Sequence, residues 1–158
     1  MGNYYHNISG NKLPYTANII TNSIGNGYFT VSEEMEYYAK GDALLAKLFS
    51  EALDSAKSDI EANFGLTFSP ESVVFVVFHA GLSQDFSYPS LDPTIYDLKS
   101  AYIDEKMMQS VTPAFISGDS IYTGILLPET QNIIYFDVVE DIFGNPDYGT
   151  DDLCDIQI

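Results

Sequence analysis

The sequence predicts an α/β (α+β) fold in which one long helix covers a mixed β-sheet that also carries hairpins. Apolar residues recur at helical spacing over residues 42–64, and a run of β-branched and aromatic residues follows over residues 72–78. Because a helix followed closely by a buried strand forms a crossover unit, we expect the strand to lie inside a sheet that the helix covers. With 158 residues, 46% of them hydrophobic, residues 1–158 form one domain or a fragment of one.

The first two predicted segments are a β-rich lead-in over residues 1–41 and the helix over residues 42–64. Within the lead-in, the Asn-Gly pair at 26–27 accepts positive φ angles, which predicts a hairpin with arms at 19–24 and 28–31. Asp42 is expected to cap the start of the helix and Gly65 to end it. The apolar stripe that predicts the helix consists of Leu45, Leu48, Phe49, Ala52, Leu53, Ala56 and Ile60.

The apolar run over residues 72–78 predicts a central strand buried on both faces, because it contains no alternating polar residues. It ends at His79, where polar chemistry could be exposed at a strand end. Residues 82–112 are expected to form a long acidic loop, which includes two prolines.

The last part of the chain divides into two predicted regions. Residues 112–139 are a β-hairpin region, with arms at 112–116 and 121–127 and a further strand or helix start at 132–139. Residues 140–158 are an acidic end, in which residues 144–155 are predicted to be a loop or a frayed end.

The charge of the chain excludes two classes of partner. Twenty-three acidic residues stand against six lysines and no arginine, for a net charge of −17. Phosphate backbones and anionic lipid surfaces would be repelled, so we expect no nucleic-acid binding. No apolar run is long enough to cross a bilayer, so no membrane insertion is expected.

The few residues suited to transition-metal binding limit the metal chemistry of this chain. His6 and His79 are the only imidazoles and Cys154 is the only thiol, so neither a three-histidine site nor H-E-x-x-H can be built from residues 1–158. His79 could line a cleft at the strand end, but a lone histidine there is more often structural.

Oxygen ligands for Ca²⁺ are plentiful, since this ion takes six to eight oxygens from carboxylates, carbonyls and water. No EF-hand pattern occurs, and ordinary solvated acidic loops are the alternative interpretation. The candidate calcium ligands are Asp85, Asp92, Asp97, Asp147 and Asp151.

Five short segments stand out along the chain: Asn-Tyr-Tyr at 3–5, Met-Glu-Tyr-Tyr at 35–38, Phe-His-Ala-Gly at 78–81, Asp97 with Ser-Ala-Tyr-Ile at 100–103, and Leu-Pro-Glu-Thr at 127–130. Taken together and in this order, they resemble segments of the immune-inhibitor-A-like secreted zinc metallopeptidases. In that family these segments precede a helix that bears H-E-x-x-H, whose glutamate is the general base for a zinc-bound water.

The resemblance implies that this chain is the N-terminal portion of a secreted zinc metalloendopeptidase catalytic domain, with an incomplete zincin-like subdomain. Zn²⁺ and a protein or peptide substrate are then expected only in the full-length protein, and the chain as given is expected to be inactive. No residue here is expected to be catalytic or to bind zinc. His79, Gly81 and Glu129 are expected to be structural residues or to line a cleft.

Two other classes stay open. A non-catalytic secreted calcium-binding or adhesion module would have the same acidic, tyrosine-rich composition, and a soluble α/β domain without a site is the third interpretation. The protein is expected to be secreted or on the cell surface, with any signal sequence outside residues 1–158. Because one helix covers only one face of a sheet, self-association through exposed apolar surface is also expected.

Overall fold

The computed structural model of the protein describes residues 17–24, 26–64, 72–83, 97–130, 137–140 and 146–149. The helices are α1 (Met35–Tyr38), α2 (Asp42–Phe64) and a 3₁₀-helix (Met107–Ser110). The strands are β1 (Val76–Leu82), β2 (Ala101–Ile103), β3 (Ala114–Ile116), β4 (Asp119–Ile121), β5 (Gly124–Thr130), β6 (Asp137–Glu140) and β7 (Pro146–Gly149). The predicted mixture of one long helix with strands in a small mixed sheet is confirmed.

Helix α2 occupies the range that the apolar spacing predicts, but its first turn differs from the prediction. The carbonyl of Gly41 accepts hydrogen bonds from the amides of Leu44 and Leu45, so Gly41 is the residue that precedes the helix. Asp42 is the first helical residue, and its carboxylate lies 3.0 Å from the Lys99 ammonium. A negative charge at the N-terminus of a helix is stabilised by the helix dipole. Gly65 lies outside the described residues.

The apolar side of α2 forms most of the hydrophobic core. One polar residue on that side, Ser50, is buried, and its hydroxyl donates a 2.7 Å hydrogen bond to the carbonyl of Thr112. This bond ties the helix to the chain just before β3. The buried apolar residues are Tyr38, Leu45, Ala46, Leu48, Phe49, Leu53, Ala56, Ile60, Leu98, Ile103, Met108, Ala114, Ile116, Ile121 and Leu126.

The main sheet has three strands in the order β1-β5-β2, with β5 in the middle. β1 runs parallel to β5, and β2 runs antiparallel to it. The strand predicted over 72–78 therefore begins at Val76 and lies at an edge of the three strands described. Its predicted central place is taken by β5.

Successive rows across the sheet face opposite sides. The row Val77, Leu126 and Ala101 faces the core, where Leu126 is fully buried. The next row, Val76, Ile125 and Tyr102, faces away from the helix, because paired residues share a face and neighbours alternate.

The side of the sheet away from α2 is exposed, contrary to the expectation that 72–78 is buried on both faces. The exposed fraction is 66% for Val74, 40% for Val76, 67% for Phe78 and 65% for Tyr102. We call this the outward face; it comprises Val74, Val76, Phe78, Ile125, Leu127 and Tyr102. An unbroken apolar run does not by itself show whether one face or both are covered, and here the helix covers one.

The helix meets the sheet where β5 begins. The ring of Phe49 lies directly against Gly124, so a Cβ at Gly124 would overlap the ring and would come within 2.9 Å of the Phe75 carbonyl oxygen. That carbonyl also accepts a 3.0 Å hydrogen bond from the amide of Ile125. Only glycine allows this close approach.

β3 and β4 form a tighter hairpin than the sequence predicts. Ser117 and Gly118 both have positive φ angles, 51° and 96°, as a two-residue type I′ turn requires. The amide of Ser117 donates a 2.9 Å hydrogen bond to the Glu61 carboxylate at the end of α2. The predicted second arm, 121–127, is divided between β4 and β5, because β5 pairs with β1 instead.

The lead-in shows a turn without a strand ladder in its described part, 17–24 and 26–41. The backbone N–H of Asn22 donates a hydrogen bond to the carbonyl of Gly27 (3.1 Å), and the side-chain Nδ2 of Asn22 donates one to the carbonyl of Tyr28 (3.0 Å). The Asn22 side chain thus takes one of the bonds that a regular ladder would give to the backbone. Residues 1–16 lie outside the described part of the chain.

The two predicted acidic loops contain regular structure. Within 82–112, β2 pairs with β5 and the 3₁₀-helix begins where Asp104 accepts a 2.8 Å hydrogen bond from the amide of Met107. Near the end of the chain, β6 and β7 pair with each other, so part of the predicted end segment 140–158 is a strand. Residues 84–96 lie outside the described residues.

We expect Gly124→Ala to lower the free energy of unfolding by about 1–3 kcal/mol, because the added methyl group overpacks the contact with Phe49. Urea denaturation followed by circular dichroism measures this loss. The matched control is Gly41→Ala, where a Cβ would meet nothing within 4 Å. Equal, small effects of both substitutions would show that Phe49 does not pack against β5.

Candidate functional site

The carboxyl ends of β1 and β5 meet at one edge of the sheet, because the two strands are parallel. His79 pairs with Pro128, and Leu82 pairs with Thr130, with an irregularity in β1 between these pairs. The segments that contain His79, Gly81 and Glu129 are therefore brought together. In open sheets with parallel strands, this edge is where ligands most often bind.

The side chains of His79 and Glu129 at this edge point to opposite faces. His79 is 8% exposed and lies in a row that faces the core, where its Nδ1 is 3.2 Å from the carbonyl oxygen of Ala80. Glu129 is exposed and follows a buried Pro128, so it lies on the side of the outward face. The pair shares an edge but does not form an acid–base couple.

Gly81 is required by the backbone of the irregularity. Its φ angle is +95°, in the region that favours glycine, and a Cβ there would come within 2.9 Å of the Met35 methyl carbon. The strand end is thus in direct contact with α1. Glycine is therefore the residue that fits this backbone conformation next to Met35.

The residues at this edge do not fit a zinc site. Within the described ranges, no three His, Cys, Asp or Glu residues lie close enough together to hold a metal ion. His6 lies outside those ranges, and His79 is the only other histidine in the sequence. No zinc-dependent step can be assigned to these residues.

The candidate calcium ligands are largely outside the described part of the chain. Asp85, Asp92 and Asp151 lie outside it, and Asp147 is on β7 with its side chain not described. Asp97 is half-buried just before the bridge between Leu98 and Ser83. Calcium binding by these five residues stays a prediction.

A polar cluster centred on Glu51 is the best-organised group of side chains in the described residues. One carboxylate oxygen accepts hydrogen bonds from the Tyr38 hydroxyl (2.5 Å), the Ser32 hydroxyl (2.9 Å) and the Ser32 amide (3.2 Å). The other oxygen lies 3.4 Å from the Lys47 ammonium. The Tyr38 hydroxyl in turn accepts a 3.1 Å hydrogen bond from the amide of Glu33.

The surroundings of Glu51 shift two pKa values in opposite directions. Burial alone would raise the pKa of Glu51, but hydrogen bonds from Tyr38 and Ser32 together with the charge of Lys47 lower it. Burial and the hydrogen bond to the Glu51 carboxylate raise the pKa of Tyr38. Glu51 therefore stays ionised and holds the segment before α1 against the helix.

Lys47 completes this cluster through an aromatic contact. Its ammonium lies 4.7 Å from the centre of the Tyr37 ring and 3.5 Å from the Tyr37 hydroxyl. Burial alone would lower the pKa of Lys47, but the hydrogen bond to Tyr37 and the charge of Glu51 raise it. Next to the cluster is a shallow recess of about 400 Å³, lined by Ser32, Glu33, Glu34, Glu36, Tyr37 and Lys40.

Sequence reasoning missed this cluster, although one signal was present. Glu51 lies four residues after Lys47, which indicates an ion pair on the helix surface. Nothing in the spacing indicates that Tyr38 and Ser32 come from a separate segment to meet the same carboxylate.

Comparison of the chain with protein-family models, with curated proteins and with solved structures finds no match. Among the described helices, none is long and apolar enough to cross a membrane. The functional interpretation therefore rests on the geometry above and on the sequence resemblance.

We expect Glu51→Gln to lower the free energy of unfolding by about 1–2 kcal/mol at pH 7, because charge-assisted hydrogen bonds to a partly buried carboxylate are lost. The folded-state pKa lies below the ordinary value of 4.5, so this stabilisation is complete above 4.5 and is lost as the pH falls through the folded value. Urea melts at several pH values measure it.

The control for this pH dependence is Glu36→Gln, which removes an exposed carboxylate 3.5 Å from Lys40. It should change stability by less than about 0.5 kcal/mol. If wild type and Glu51→Gln lose stability equally between pH 5 and pH 3, Glu51 does not have the role described.

Proposed function

We propose that this chain is the N-terminal portion of the catalytic domain of a secreted zinc metalloendopeptidase, the portion that precedes the zinc helix. The observation that supports the proposal is the parallel pairing of β1 with β5. It brings two segments of the family resemblance, 78–81 and 127–130, to one sheet edge although they are far apart in the sequence.

In this proposal the described residues build and orient the sheet edge and do no chemistry themselves. His79 and Gly81 shape the strand end, through burial and through the contact with Met35. Zinc would be held by an H-E-x-x-H helix of the full-length protein, since residues 1–158 contain no such motif. Zn²⁺ would there supply the acidity that activates a water molecule.

The proposal predicts that the reading frame beyond codon 158 encodes H-E-x-x-H within roughly forty residues, with the two histidines on one helix face. It also predicts that purified residues 1–158 cleave no protein substrate, whereas the full-length protein cleaves casein in a chelator-sensitive way. Sequencing the gene and a fluorescent casein assay check both. A stop codon directly after codon 158 contradicts the proposal, and so does chelator-sensitive activity of residues 1–158.

The exposed outward face favours a second candidate, a non-catalytic secreted calcium-binding or adhesion module. Three large apolar side chains of the sheet, and that of Val74 just before β1, are between 40% and 67% exposed, and exposed apolar patches of this kind mark interaction surfaces. The acidic composition would suit Ca²⁺, with the five aspartates named above as candidate ligands.

For Ca²⁺ we expect millimolar concentrations to raise the melting temperature, since residues 107–158 contain nine acids and no basic residue. Differential scanning fluorimetry with CaCl₂, MgCl₂ and NaCl at matched ionic strength separates two causes. A specific oxygen cage discriminates Ca²⁺ from Mg²⁺, whereas screening is reproduced by NaCl. A melting temperature unchanged by all three salts would remove Ca²⁺ from the proposal.

A further inference from the structure

We propose that Asn26 is a site of spontaneous deamidation, at which the backbone nitrogen of Gly27 displaces the side-chain amide of Asn26 in the folded protein. The co-reactant is water, and the product at position 26 is a mixture of aspartate and isoaspartate. The Asn-Gly turn belongs to the lead-in and takes no part in the sheet edge, so its chemistry is independent of the function proposed above.

The reaction consists of a ring closure and a hydrolysis. The Gly27 nitrogen attacks the side-chain carbonyl carbon, Cγ, of Asn26 and gives up its proton, while the bond from Cγ to Nδ2 breaks and ammonia leaves. Water then opens the cyclic imide at either of its carbonyl carbons. Opening at Cγ gives aspartate, and opening at the main-chain carbonyl carbon gives isoaspartate, in which the chain runs through Cγ and is longer by one carbon.

The turn holds the Asn26 side chain next to the backbone that must attack it. The Tyr28 N–H donates a 3.3 Å hydrogen bond to Oδ1 of Asn26, so the side chain curls over the peptide of Gly27 that lies between them. The same hydrogen bond withdraws electron density from the side-chain carbonyl, which makes Cγ a better electrophile. Asn26 is exposed, so water reaches the cyclic intermediate.

The residue after the asparagine decides how easily the ring closes, because its side chain crowds the attacking nitrogen. Gly27 has no side chain, and a Cβ built there would meet nothing within 4 Å, so the space around its backbone is open. Its φ angle is +90°, a conformation that favours glycine. The feature that makes the turn also makes Asn26 reactive.

Two other asparagines of the lead-in serve as internal comparisons. Asn18 is also exposed, but it precedes Ile19, whose branched Cβ crowds the nitrogen. Asn22 precedes a small serine, but its side chain is held at both ends: Oδ1 accepts a 2.8 Å hydrogen bond from the Ile24 N–H, and Nδ2 donates one of 3.0 Å to the Tyr28 carbonyl. Ring closure at Asn22 would break both bonds.

Isoaspartate at position 26 would change the turn that fastens the lead-in to α2. The Gly27 carbonyl accepts a 3.1 Å hydrogen bond from the backbone N–H of Asn22, and the Ser23 hydroxyl donates one of 2.8 Å to the Asp59 carboxylate on α2. One extra main-chain carbon before Gly27 moves its carbonyl away from Asn22. The new carboxylate also adds a negative charge to a chain of net charge −17.

The lead-in asparagines can be compared in a single peptide, because trypsin cleaves after Lys12 and Lys40 and no basic residue lies between them. The folded protein is aged in mildly alkaline buffer made with ¹⁸O-labelled water, and mass spectrometry with electron-transfer fragmentation locates the label and separates isoaspartate from aspartate. We expect Asn26 to be labelled about tenfold or more faster than Asn18, because Gly27 does not obstruct ring closure.

The variant Asn26→Gln should lose the fast label, because its longer side chain would have to close a larger ring. The matched control is Asn18→Gln, which should leave labelling at Asn26 unchanged. Both substitutions keep an uncharged amide at an exposed position, and circular dichroism checks the fold.

The effect on the turn is measured by solvent exchange of backbone amides in NMR spectra. The Asn22 N–H should exchange faster in the aged protein, whereas the variant Asn26→Asp, which adds the charge without lengthening the chain, should leave it unchanged. The Leu45 N–H, bonded to the Gly41 carbonyl at the start of α2, should be unaffected in both.

Three results would overturn the proposal. Equal labelling of Asn26 and Asn18 in the folded protein would show that the turn confers no special reactivity. Labelling of Asn26 only after unfolding in urea would show that the fold protects it. An Asn22 N–H that exchanges equally before and after modification would show that isoaspartate does not disturb the turn.

Discussion

The contact of the Phe49 ring with the backbone of Gly124 is the constraint on which the rest of the structure depends. It sets the distance between α2 and the first residue of the middle strand, because no side chain separates them. From that point β5 can pair with β1 on one side and with β2 on the other. The same contact fixes which rows of the sheet face the core, so the rows that alternate with them lie on the exposed face.

A second constraint links the helix to the strand end. Glu51 on α2 gathers Tyr38 and Ser32, and the segment between them carries Met35, whose methyl group lies against Gly81. The Glu51 carboxylate thus holds α1 in place, and α1 in turn contacts the strand end where His79 is buried. Because this carboxylate has a lowered pKa, the arrangement persists across neutral pH and weakens in acid.

The long helix was predictable because its apolar spacing repeats over several turns, whereas the sheet depends on contacts that spacing does not reveal. The apolar sequence over 72–78 is compatible with a strand that is covered on one face and with a strand that is covered on both. Pro128 has no backbone N–H to donate, which argues against a central strand, yet β5 is the central strand of the three. The irregularity in β1 begins just after His79, the residue that pairs with Pro128. Because the ladder is already interrupted there, the missing N–H of the proline removes less stabilisation. His79 and Glu129 were expected to be structural or to line a cleft, and only the register of β1 with β5 shows that they share an edge and face opposite sides of the sheet.

Hydroxyl-radical footprinting of the monomer, read by mass spectrometry, tests most directly the claim that the sheet has one covered face and one open face. The account predicts that Phe78 and Tyr102 are oxidised rapidly, while Phe49 and Tyr38, which are almost fully buried, are protected. Protection of Phe78 as strong as that of Phe49 would contradict it, because the strand would then be buried on both faces.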